Sequence, residues 1–185
     1  MEYRSFDELT TYVPAVRGAP ANGGVLELIV ARPAVGERAA LDEGRLDVVD
    51  GLIGDSWRDR PSSRMPDGQP HPGMQITIMN SRAIDAIAGT RERWALAGDQ
   101  LYADLDVSVD NLPDGTRLAI GEAVVEVTDQ PHRGCAKFAD RFGSDAVRFV
   151  NTGEGAALRL RGINTKVISG GTIRPGDTFT KIVTS

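Results

Sequence analysis

Residues 121–151 read GEAVVEVTDQPHRGCAKFADRFGSDAVRFVN. The run from Glu122 to Asp129, rich in valine, is strand-like. Past the cysteine the pattern changes. Phe138 and Phe142 stand four apart with Ala139 on the same face, which predicts a short helix interrupted at Gly143. Ser144 is then expected to cap a second helix over 145–150, which ends at 151–153. Between strand and helix lies a loop with the single cysteine, Cys135, and one of two histidines, His132.

A lone cysteine is often just a small buried hydrophobe. Here Arg133 and Lys137 flank it and His132 is near, so positive neighbours and a helix start favour the thiolate. Gly134 before it allows strain or close approach of the backbone. Cys135 is therefore a candidate nucleophile and soft metal ligand, and His132 a candidate proton donor near neutral pH. A hydrogen-bonded loop histidine is the competing reading for His132.

The chain has 185 residues with a net charge of −5. That is enough for one sizeable core and too acidic for a general nucleic-acid binder. No apolar run reaches the length of roughly 18 residues that spans a bilayer. The first residues, Met1–Ser5, lack a signal-peptide core. One cysteine excludes an internal disulfide, which fits a reducing compartment. A cytoplasmic protein without membrane attachment is the expectation. Glycines are plentiful, 21 in all, and aromatics scarce at 5%. That balance favours turns and short strands over a helix bundle.

Outward from the quoted stretch, Ser5 and Glu8 form a capping box for a helix that should stop near Pro14. Residues 1–23 form this helix and a loop, part of or packed on the domain; residues 24–185 form one domain. Strands are expected at 24–32, in 45–49, and at 74–79, 101–109, 117–120, 158–168 and 177–183. Asn80 or Ser81 should cap a helix over 82–88, and 91–96 adds a further turn. Pro113–Thr116 is a turn. Residues 50–73 form the longest irregular stretch, a binding loop or a plain surface loop, in which Trp57, Arg58, Arg60 and Arg64 provide stacking and anion-binding capacity. His71 reads as a loop residue, and no His, Cys and carboxylate cluster has zinc spacing. Many short strands with regular turns and few helices indicate a mainly β fold, a β-barrel with a few short peripheral helices.

Several segments resemble the MOSC domain, named for the C-terminal part of molybdenum-cofactor sulfurases. They are GVLELIV at Gly24–Val30, GLIGD at Gly51–Asp55, QITIM at Gln75–Met79, DNL at Asp110–Leu112 and LRGINTKVISGGTIRPGD at Leu160–Asp177, in family order around Cys135. Gly134 stands where the family often has proline. The resemblance, to stand-alone bacterial-type members, implies a barrel similar to the pyruvate-kinase β-barrel and a site for molybdenum cofactor, a pterin dithiolene with a phosphate tail. It implies Cys135 as molybdenum ligand, with Arg133, Lys137, Arg161, Asn111 and Asp55 toward the cofactor. Without it, Arg161 would be an ordinary strand-end charge.

Three classes follow. One is an oxidoreductase component that reduces N-hydroxylated compounds, another a carrier of cofactor or of sulfur as a Cys135 persulfide, and the third a non-catalytic barrel with a packed cysteine. The chain has no room for a pyridoxal-phosphate domain. Without a ferredoxin cysteine set or a dinucleotide fingerprint, a reductase would need a separate electron donor.

Overall fold

The computed structural model describes residues 3–183. Two short helices, α1 (Phe6–Thr10) and α2 (Val13–Arg17), open the chain. The Ser5–Glu8 capping box closes as the sequence requires. Pro14 does not end the first helix. It sits in the opening turn of α2, where its missing N–H is not needed.

The strands β1 (Gly24–Ala31), β2 (Ala39–Leu41), β3 (Gly44–Asp47), β4 (Gly51–Leu52) and β5 (Ile76–Asn80) come next. Then follow α3 (Ser81–Ala88), a 3-10 helix (Arg91–Ala97), and β6 (Leu101–Asp104), β7 (Arg117–Ile120) and β8 (Ala123–Val127). Three helices, α4 (Ala136–Phe142), α5 (Ser144–Asn151) and α6 (Gly153–Ala157), precede β9 (Ile163–Ser169), β10 (Gly171–Ile173) and β11 (Thr178–Ile182). The order β11-β7-β8-β9-β5-β6-β1 closes through a β1–β11 pairing into a seven-stranded barrel. Pair β5–β6 is parallel and the other barrel pairs are antiparallel. β2 continues the sheet from β1, and β10, β3 and β4 form a small second sheet.

Closure leaves few free edges, and alternation puts one row of each strand inside. Leu26, Ile78, Leu118, Val125 and Phe179 are buried in that interior. The other rows of β1, β5 and β6 (Val30, Met79, Tyr102) meet the helices in a second core with Leu9, Ile84, Phe138 and Phe149. The helices thus coat one side of the barrel, and α4 is fixed to the wall by Phe138 and Phe142, whose ring centroids are 4.9 Å apart.

Three strand boundaries differ from the alternation pattern. β6 stops at Asp104, because Leu105 N–H turns back to Ala103 O and Asp106 N–H donates to Pro20 O. Residues 158–162 are a turn, although they alternate like a strand. Leu160 N–H returns to Gly155 O, Gly162 N–H to Arg159 O, and Arg159 takes a positive φ of 48°. A Cβ on Gly162 would stand 2.5 Å from Ile78 O, so this close passage over β5 needs glycine. Ala39–Leu41 is a strand, where the sequence pattern points only to the segment after it. Gly143, not Ser144, occupies the N-cap of α5, and no side chain caps it.

Candidate functional site

Asp99 follows the 3-10 helix and is wholly buried. Arg161, from the turn before β9, reaches it with Nη1 2.5 Å from Oδ2. Arg161 Nη2 donates to Ala97 O at 2.9 Å, and the guanidinium carbon lies 4.9 Å above the Phe138 ring. On the other carboxylate oxygen, His132 Nε2 stands 3.1 Å from Asp99 Oδ1, close but too poorly aligned for a full hydrogen bond. Burial would raise the Asp99 carboxyl, but Arg161 first and His132 second hold it far below the usual carboxylate range. Burial pushes the His132 imidazole down, Arg161 pushes it further, and Asp99 only partly opposes them. His132 is therefore neutral near pH 7.

A second buried pair lies beside the first. Asp55 accepts from Arg32 Nε at 2.8 Å and from Arg32 Nη2 at 2.7 Å. This is a bidentate fork. The backbone N–H groups of Arg32 and Trp57 also donate to Asp55. Burial raises this carboxyl, but the Arg32 bonds and charge outweigh that and leave it lowered. Arg60 lies next to the pair, held by Ser56 Oγ at 2.7 Å, and burial and then Arg32 push its guanidinium down. Four successive carbonyls, Ala95 to Gly98, each accept from a different arginine: Arg38, Arg141, Arg161 and Arg32. With Arg60, five arginines gather around two buried carboxylates, an excess of positive charge in a chain that is acidic as a whole.

Two cavities meet here. One, of about 320 Å³, is lined by Arg32, Trp57, Arg60, Arg64 and His71 from the 50–73 loop and its base. The other, of about 230 Å³, is lined by Arg133, Val150, Asn151, Arg159 and Ile163. His132 and Asn164 line both and form the partition between them. Asn164 is buried, and its Nδ2 donates to Gln130 O at 3.1 Å while its Oδ1 has no partner.

Cys135 is exposed and lies outside both linings, at the N-cap of α4. Its loop is tied down one residue earlier. Asn151 Oδ1 accepts from Gly134 N–H and Asn151 Nδ2 donates to Gly134 O, both at 2.9 Å. A Cβ on Gly134 would stand 3.0 Å from Val150, so glycine serves close approach rather than strain. Arg133 and Lys137 are exposed and have no ion-pair partner among the described residues. Among these residues, no three His, Cys, Asp or Glu gather to hold a bare ion.

Residues 69–180 match the family model for the MOSC domain. The chain belongs to the MOSC domain family. The MOSC domain is generally a molybdenum-cofactor-binding domain. Solved structures similar to this one include the YuaD protein of Bacillus subtilis (17% identity, TM-score 0.61), covering 84% of this chain and 93% of that one. YiiM of Escherichia coli (20% identity, TM-score 0.56) covers 87% of this chain and 71% of its own. A protein described as hypothetical (19% identity, TM-score 0.59) covers 92% and 72%. These likenesses show the fold. No curated protein sequence matches the chain significantly.

Within this MOSC domain the residues singled out in the sequence do not all come together. His132 and Arg133 line the cavities and Cys135 follows on the same loop. Arg161 stands behind His132 with both terminal nitrogens engaged, one on Asp99 and one on Ala97 O. Asp55 is likewise engaged, paired with Arg32. Asn111 is engaged elsewhere: its amide donates to Ala21 O and Asp106 O and accepts from Lys181 Nζ, beside a separate depression. His71 caps the turn at Pro72–Met74 through Gly73 N–H. Sequence reading missed Asp99, Asn164 and Asn151. Among the described residues no helix is long and apolar enough to cross a membrane.

Proposed function

We propose that this MOSC domain binds molybdenum cofactor with Cys135 as the protein ligand to molybdenum, and that it reduces N-hydroxylated compounds. The supporting observation is the arginine-rich, Trp57-bearing cavity whose wall, His132, lies three residues before the exposed thiol. The donor set fits the group. A planar pterin suits the indole face and an anionic tail suits Arg60 and Arg64, with Arg32 behind them. A soft thiolate suits molybdenum. Arg133 and Lys137, unpaired beside Cys135, add positive charge at the loop.

When bound, the cofactor supplies two-electron redox chemistry at a metal. Reducing an N–OH group to N–H consumes two electrons and two protons and releases water. The electrons come from a separate donor protein. His132 handles protons at Nδ1: it is neutral at rest, and its lowered pKa makes the imidazolium form a ready donor. Asp99 and Arg161 position the ring.

A second reading draws on the exposure of Cys135. A surface thiol at a helix start suits hand-over of cofactor, or of sulfur as a persulfide, to a partner. Turnover separates the two. Protein from a host with intact cofactor synthesis, supplied with a chemical electron donor and an amidoxime, turns over if it is a reductase. Molybdenum or persulfide transfer without turnover supports the carrier, and neither result would leave a barrel with an unused thiol.

A further inference from the structure

We infer that the junction of the two cavities is a binding site for a ligand head group carrying two adjacent hydrogen-bond donors, with Asn164 as the residue that selects it and His132 as its partner. It rests on the reading above only for the choice of an N-hydroxylated probe.

Asn164 Oδ1 is buried within a residue 1% exposed and has no donor. Its orientation is fixed, because turning the amide over would set Oδ1 against Gln130 O, which now accepts from Nδ2. A buried acceptor left unpaired is unfavourable, and an incoming N–H or O–H relieves it. His132 offers the second acceptor. Its Nε2 faces Asp99, so the neutral ring carries its proton there and keeps a lone pair on Nδ1. Nδ1 has no hydrogen bond among the described residues and is not enclosed, and the ring borders both cavities. The charges facing this ring are Asp99, Arg161 and Arg32, which together keep it neutral. The two residues that carry these acceptors therefore line one junction, which opens on about 230 Å³ on one side and about 320 Å³ on the other. An amidoxime, with NH2 beside OH, satisfies both. Its O-methyl ether keeps the NH2 for His132 Nδ1 but has one donor fewer and leaves Asn164 Oδ1 unmet.

Calorimetric titration of benzamidoxime and of its O-methyl ether into the full chain tests this. The parent compound should bind about tenfold tighter, one hydrogen bond's worth. In Asn164→Leu the preference should shrink to within about twofold. If that variant misfolds, the wild-type pair and the ¹⁵N resonance of His132 Nδ1 still decide: the NH2 that both compounds carry should move it with either one. Equal binding of the two compounds by the wild type, or an unmoved Nδ1, would overturn the inference, because a water would then be filling the junction. Cys135→Ser should keep the preference. Should that variant also keep molybdenum, the cofactor reading fails while this one stands. Lost preference with molybdenum bound is the reverse case.

Discussion

Behind His132, Asp99 is wholly buried and Arg161 nearly so, with both carboxylate oxygens faced by cationic or titratable groups. In front of it, Arg133, Cys135 and Lys137 lie at the surface, and only Gly134 is clamped. Buried charges have to be paired, so the wall is costly to disturb and rigid. The loop carries its charges in solvent, where they are easily removed and free to meet a ligand. Positioning is thus built into the barrel, while the groups that would touch a cofactor or partner are left unpaired.

The largest effect should come from the wall. Asp99→Ala strands Arg161 in the interior, and breaking a buried pair costs about 3–5 kcal/mol. Urea unfolding measures it. A loss below about 1 kcal/mol would show that the pair does not anchor the wall.

Acid should also act on the wall first. The folded pKa of His132 lies below its ordinary 6.5, so the unfolded chain binds the extra proton as pH falls through that value. Stability should fall as pH drops below about 6.5, and His132→Gln should flatten this slope. Asp99, depressed in the fold, adds a further loss below its ordinary 3.8. An unchanged pH slope in His132→Gln would mean the ring is not held neutral by its surroundings.

An intermediate effect belongs to the clamp. Asn151→Ala removes both bonds to Gly134 and should cost about 1–2 kcal/mol. It should speed amide exchange at 133–136 while the barrel strands stay protected. Uniform loosening of the barrel would break the division between wall and loop.

The smallest effect is expected at the exposed cations. Arg133→Ala and Lys137→Ala should shift stability by less than about 0.5 kcal/mol. On the proposed function they lower cofactor retention nonetheless, measured as molybdenum per folded chain.

Much of the fold was legible because its signals are local. The Ser5–Glu8 box and the Asn80 cap each rest on residues within one turn, and Pro113–Thr116 closes on itself, with Thr116 donating from both N–H and Oγ1 to Pro113 O. Barrel closure was read from strand number and turn spacing. The wall was not legible, because its members are far apart in the chain. Asp99 is 62 residues from Arg161, and only the barrel brings them together. Asn164 sits in an alternating strand and looks like any polar ladder residue until its unpaired oxygen is seen. Residues 158–162 misled for the opposite reason: Leu158 and Leu160 alternate, yet a left-handed Arg159 and Gly162 fold that stretch into a turn.

Molybdenum content tests the central claim most directly. Wild-type chain and Cys135→Ser, produced side by side in a host with intact cofactor synthesis, are compared at equal folded fraction. The account predicts on the order of one molybdenum per wild-type chain and a large loss in the variant, because a serine hydroxyl is a hard, mostly protonated ligand in place of soft sulfur. Equal molybdenum in the two proteins, with equal activity, would contradict the ligand role of Cys135.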